Sequence, residues 1–196
     1  IDLFAGIGGF HLALHNLGAE CVFASEWDEH ARETYKHNFK DKSPNLFRDD
    51  NFAGDITLVD KNKIPSFEIL TAGFPCQPFS PIGQQKGFDD TRGTLFFDIA
   101  EIIMLKQPKA FFLENVSGIF SHNDGKTFSR IKSVLTEELK YSFKEYKVKA
   151  SNYGLPQFRP RLFMIGFKNP KLFIDEPVKQ DLLFNMSHVM RGDAER

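Results

Sequence analysis

The chain has 196 residues, 41% hydrophobic and 26% charged, with a formal net charge of −1. That is enough for one domain with a real core and an ordinary soluble globular profile; there is no apolar run of membrane-spanning length, no signal-peptide pattern, and only two cysteines, so a disulfide framework is excluded and a reducing, cytoplasmic setting is expected. The total charge announces no nucleic-acid partner, but it hides an asymmetry: residues 1–125 carry 11 Lys/Arg against 18 Asp/Glu, and residues 126–171 carry 11 against 3. Such a basic stretch either meets phosphate or is a solvated helix face beside a lysine-rich edge strand.

In chain order, Ile1-Asp2-Leu3-Phe4 reads as a strand, and Ala5-Gly6-Ile7-Gly8-Gly9-Phe10 as a glycine turn. The turn runs into an amphipathic helix through Leu12, Leu14 and Leu17 that Gly18 stops. Strand, glycine turn and helix are the context in which glycines let a backbone approach a ligand and a helix N-terminus offers free N–H groups. A second strand, Cys21–Ser25, ends at Glu26-Trp27-Asp28. An acidic residue there is placed to take a ribose diol; Trp27 either flanks a bound ring or caps the core. Asp28 is the expected N-cap of a helix to Phe39. Residues 40–53 read as a surface loop. In the following Gly54-Asp55-Ile56-Thr57, Asp55 either accepts from an amino group of a ligand or caps a turn.

The apolar run Phe67-Glu68-Ile69-Leu70-Thr71-Ala72 predicts a buried strand. At its exit stands Gly73-Phe74-Pro75-Cys76-Gln77-Pro78-Phe79-Ser80. Two prolines fix φ around a cysteine at the carboxyl end of a strand, which poses the thiol rather than packing it. Residues 81–93 have the composition of a mobile loop. A helix is expected from Thr94 to Lys106. The next buried strand, Ala110–Leu113, delivers Glu114 beside Cys76 if the two strands are neighbours. A helix over 126–139, a strand over 143–150 and a strand Leu162–Phe167 follow, with Gln157-Phe158-Arg159-Pro160-Arg161 before the last. The expected organisation is a catalytic and cofactor-binding domain over residues 1–167 and a polar extension over 168–196.

The octapeptide around Cys76 resembles the nucleophile motif of the cytosine-C5 DNA methyltransferases of bacterial restriction-modification type. Other stretches are similar to that family's motifs in the same order: Asp2 to Phe10, Glu26-Trp27, Gly54-Asp55-Ile56, Gly93-Thr94-Leu95-Phe96, Glu114-Asn115-Val116 and Gln157 to Arg161. The resemblance implies a Rossmann-like α/β fold with a mostly parallel twisted sheet and helices on both faces. It implies S-adenosyl-L-methionine as cofactor and S-adenosyl-L-homocysteine as product, held by Phe4, Gly6, Ile7, Gly8, Gly9, Glu26, Trp27, Asp55, Ile56, Pro75 and Leu95. Cys76 would be the nucleophile, with Glu114, Arg159 and Arg161 in the catalytic site and no metal. It implies double-stranded DNA as partner, with target recognition carried by a further C-terminal region or a second chain.

The implied chemistry is attack of the Cys76 thiolate on C6 of a flipped cytosine, with Glu114 bonded to N3, and methyl transfer to C5. A free thiol with a pKa near ~8.5 is ionised only to a few per cent at neutral pH, so a nearby arginine, best Arg161, is expected to help. Three other readings stand. A tRNA cytosine methyltransferase shares the scaffold, but that branch carries Pro-Pro-Cys where this chain has Phe74-Pro75-Cys76. A non-catalytic subunit that needs a partner chain is the second. A nicotinamide-dependent dehydrogenase accounts for the glycines and Glu26 but not for the setting of Cys76.

Overall fold

The computed structural model describes residues 1–75 and 95–179. Its strands are β1 (Asp2–Leu3), β2 (Ala24–Ser25), β3 (Phe52–Ala53), β4 (Ile69–Gly73), β5 (Ala110–Val116), β6 (Lys144–Lys149) and β7 (Pro160–Phe167). Its helices are α1 (Gly9–His15), α2 (Glu29–Phe39), α3 (Leu95–Lys106) and α4 (Lys126–Ser133), the last continued by a π-helical turn, Val134–Glu138. The strands form one sheet in the order β3-β2-β1-β4-β5-β7-β6. The first five are parallel, and β7 lies antiparallel between β5 and β6. This is the expected Rossmann-like, mostly parallel sheet. The chain winds from β1 outward to β2 and β3, then returns to place β4 on β1's other side. The exits of β1 and β4 therefore flank the point where winding reverses, which is where open α/β sheets bind ligands.

Alternation along the strands supplies both faces. Phe23, Leu70, Ala72, Phe111 and Leu113 enter the larger apolar cluster, which takes in Phe96, Ile99 and Ile103 of α3 and Ile131 of α4. Ala24 enters a smaller cluster with Tyr35 and Phe39 of α2. Asp28 caps α2 as expected, its carboxylate accepting from the Ala31 N–H at 2.8 Å.

Three expectations change. The helix after the glycine turn ends at His15, with Leu12 and Leu17 exposed and His11 buried. Its inward face is thus carried by a histidine, which hydrophobic spacing alone does not find. Residues 40–53 are more than a surface loop: Leu46 is buried in a short helical turn, and Phe52–Ala53 forms β3 against β2. Two-residue strands are too short to show a period. The last strand begins at Pro160, so Arg161 lies inside β7 rather than before it.

Candidate active site

β4 and β5 are neighbours in parallel register, with Gly73 opposite Glu114. An added Cβ at Gly73 would lie in ordinary contact with Glu114 Oε2, at 3.6 Å, which places the carboxylate directly over the exit of β4. Cys76 itself, with the rest of 76–94, lies outside the described residues. The strand that carries it ends three residues earlier, beside Glu114.

β7 supplies the second charge. Glu114 pairs in register with Phe163, and Val116 with Arg161. Positions two apart on one strand share a face, so Glu114 and Arg161 are diagonal neighbours across the ladder, within reach of a long side chain. The Arg161 Nε lies 2.6 Å from Glu114 Oε1 in an ion pair, and the two side chains are 20% and 22% exposed. Arg161 Nη1 donates to the Pro160 carbonyl at 2.8 Å. The guanidinium is thereby held by one hydrogen bond and one ion pair, which orients it against the carboxylate it faces. Arg159 is exposed, and among the described residues no ion pair joins it to Glu114.

Asn115, for which the sequence suggests no role, has one in the structure. It is buried, its Nδ2 donates to the Phe74 carbonyl at 2.9 Å, and its Oδ1 accepts from the Val116 N–H at 2.8 Å. It ties the exit of β4 to β5 just before Pro75, which is exposed. A buried amide beside a strand-end glutamate was the available signal.

At the exit of β1 the backbone is unusual. Phe4 has φ 53°, Gly6 55° and Gly8 94°. A non-glycine residue at positive φ is strained and marks a turn held by its surroundings. Gly8 admits no side chain in any case: a Cβ there would stand 2.1 Å from the Phe39 ring. Glu26 holds the turn from the neighbouring strand. Its Oε2 accepts from the Gly6 N–H at 2.7 Å and its Oε1 from the Asp28 N–H at 2.9 Å. Each oxygen keeps a lone pair for a further donor. Around this turn, Gly9 is exposed, Ile7 is 61% exposed and Trp27 is 79% exposed, so Trp27 does not cap the core. Ile56 is buried, while Asp55 uses its Oδ1 to accept from the Thr57 N–H and hydroxyl. The turn-capping reading of Asp55 therefore holds, and its second oxygen remains for a ligand. Leu95 is the first residue of α3 and half-buried.

Beneath the turn lies a buried polar layer. The Asp2 carboxylate accepts from the Thr71 hydroxyl at 2.8 Å, and burial, opposed by that bond, pushes its pKa up to about 7. His11 shares hydrogen bonds with the Tyr35 hydroxyl at 2.6 Å and Ser43 Oγ at 3.1 Å, and stacks on Phe39 at 4.0 Å. Burial first, and then the neighbouring His15, lower its pKa to about 4. A cavity of about 360 Å³ opens next to this layer, lined by residues such as Cys21 and Glu68, but none of the expected site residues borders it. The rim, rather than this cavity, gathers the expected site residues.

The parallel sheet with a glycine turn at one exit and a Glu114–Arg161 pair at the next defines a Rossmann-like methyltransferase fold. The model of the C-5 cytosine-specific DNA methylase family matches residues 1–188, and the chain belongs to that family. It is 48% identical to the Type II methyltransferase M.HhaI of Haemophilus parahaemolyticus over 96% of this chain and 58% of that protein. It is 55% identical to M.HpaII of Haemophilus parainfluenzae over 85% of this chain and 45% of that protein. A solved structure of Spodoptera frugiperda DNMT2 shares the fold, with TM-score 0.67 and 23% identity over 93% of this chain and 53% of that one. The chain spans about half the length of the curated relatives it matches.

Proposed function

We propose that this chain is the catalytic part of a DNA (cytosine-5-)-methyltransferase, which moves a methyl group from S-adenosylmethionine to C5 of a cytosine flipped out of duplex DNA. The observation that carries the reading is the Gly73–Glu114 register with Arg161 on the glutamate. It sets a positioned acid at the exit of the strand that leads to Cys76.

The residues fit the cofactor. The Glu26 carboxylate is aimed by the backbone of the glycine turn and keeps acceptor capacity for a ribose diol. An added Cβ at Gly6 or Gly9 would meet nothing within 4 Å, so the turn is open where a ligand backbone contact is needed. Exposed Ile7 and Trp27 offer apolar surface and Asp55 an acceptor for an amino group; Phe4, Gly8, Ile56, Pro75 and Leu95 are the further residues that would border the cofactor. When bound, S-adenosylmethionine supplies a methyl on a cationic sulfur that accepts an electron pair.

The protein's own groups do the rest. The Cys76 thiolate adds its electron pair to C6 while Glu114, protonated or sharing a proton with the base, hydrogen-bonds N3 and lets that proton move onto it, so the ring becomes an enamine nucleophilic at C5. Arg161 holds Glu114 in line and, as a fixed cation, favours the thiolate form of a neighbouring cysteine. Arg159 steadies the base or its phosphate. After C5 takes the methyl, its proton leaves to a base, the C5–C6 double bond re-forms as Cys76 is expelled as thiolate, and N3 returns its proton to Glu114. The target atom is inaccessible in a stacked duplex, hence the flipping.

The full-length protein is the test. With labelled S-adenosylmethionine and duplex DNA, label is expected in 5-methylcytosine, and Cys76→Ala is expected to abolish transfer without loss of fold. Substantial turnover by that variant, or label entering tRNA and not DNA, would reject the reading.

A further inference from the structure

We propose that Lys149 and Phe158, at the β6–β7 end of the strand-exit rim, form a contact to the DNA strand beside the target nucleotide: Lys149 pairs with a phosphate and Phe158 packs on the adjoining base. The inference rests on duplex DNA as substrate and adds where on the rim its backbone lies.

Position is the first argument. Lys149 is opposite Pro160 in the β6–β7 ladder, one step from the Val148–Arg161 pair. It therefore stands at the end of the ladder one residue beyond Arg161's partner, its side chain leaving the opposite face of the sheet from Arg161. Exposure is the second. Phe158 is 76% exposed, immediately before Arg159, and its ring lies 5.2 Å from Lys149 Nζ. A large aromatic presented to water at the lip of a catalytic site is a ready stacking surface, and bases stack on it regardless of identity. Charge is the third. Among the described residues no carboxylate pairs with Lys149, whereas Lys61, Lys109, Arg130 and Arg161 each have one. At the far end of the same rim stand Glu26, Asp28 and Asp55, which repel phosphate. The rim is thus polarised, with Lys149, Arg159 and Arg161 at the β6–β7 end and three carboxylates at the other.

Lysines on an edge strand also discourage pairing with other sheets, and Lys144, over the Tyr146 ring at 5.3 Å, fits that role. The two roles differ in what salt does. Releasing one phosphate contact lowers the log–log salt slope of duplex binding by about 0.9; an edge guard changes nothing.

The experiment uses the full-length protein with a cytosine-containing duplex across a salt series, with S-adenosylhomocysteine binding measured in parallel. Lys149→Gln is expected to reduce the slope by about one phosphate. Phe158→Ala is expected to weaken duplex binding at least about fivefold, the low end for losing one stacked base. Lys144→Gln should match the parent, and all three should bind S-adenosylhomocysteine as the parent does. A parental slope for Lys149→Gln, or parental affinity for Phe158→Ala, overturns the contact while leaving the methyl-transfer reading intact. A parent that neither binds nor methylates DNA overturns both.

Discussion

Asp2 and His11 sit under the same glycine turn and titrate in opposite senses. Asp2 has its pKa raised to about 7 by burial, so its share of stability is present at low pH and is lost as pH rises from about 4 through 7. His11 has its pKa lowered to about 4, so its share is present above the ordinary histidine pKa and is lost as pH falls from about 6.5 through 4. Between those limits the two slopes offset each other. Removing one uncovers the other. His11→Gln should leave a chain whose stability, relative to the parent, declines as pH rises from 4 to 7; Asp2→Asn, which keeps an acceptor for Thr71, should leave one that declines as pH falls from 6.5 to 4. Each effect is on the order of 3 kcal/mol over its window. Urea denaturation at a series of pH values reads it, and parental pH profiles in both variants would contradict the pairing.

At the scale of elements, the site depends on how closely β7 lies on β5. Gly166 is opposite Phe111 in that ladder, and a Cβ there would stand 2.3 Å from both the Phe111 ring and the Ser142 carbonyl. Backbone cannot move aside as a side-chain tip can, so Gly166→Ala should cost about 1–3 kcal/mol by overpacking and shift β7 against β5. Because Arg161 reaches Glu114 diagonally across that pair, methyl transfer should fall with it. Gly118→Ala is the control, since a Cβ there meets nothing within 4 Å. Equal urea midpoints for the two variants would show that the ladder tolerates the change.

The whole molecule is unevenly anchored. β4, β5 and β7 are five to eight residues long and line the larger core cluster, while β2 and β3 are two residues each beside the smaller one. Local opening is easiest where few buried contacts and few ladder bonds hold an edge. Native-state hydrogen exchange should find the slowest amides in β4, β5 and β7 and the fastest sheet amides in β2 and β3. The Glu114–Arg161 pair then sits on the rigid half and the Glu26 side of the cleft on the softer one. Uniform protection across the sheet would remove that distinction. No described helix is long and apolar enough to cross a membrane.

Local patterns in the sequence determined the strand that leads to Cys76, the glycine turn, the cap at Asp28, the two glycine- and glutamate-bearing strand exits and the family to which the chain belongs. These are legible because period, proline stiffness and glycine φ are properties of neighbours in the chain. Pairing partners are not. That Glu114 faces Gly73, that Arg161 rather than Arg159 meets Glu114, that Asn115 pins Phe74 and that His11 rather than Leu12 or Leu17 is buried were decided by strand order, register and the space left by Tyr35 and Phe39. A carboxylate can be read from a sequence, but the cation 2.6 Å from Glu114 comes from a strand more than forty residues further along and the Gly6 N–H on Glu26 from twenty residues before it, and only packing brings those distant pieces together.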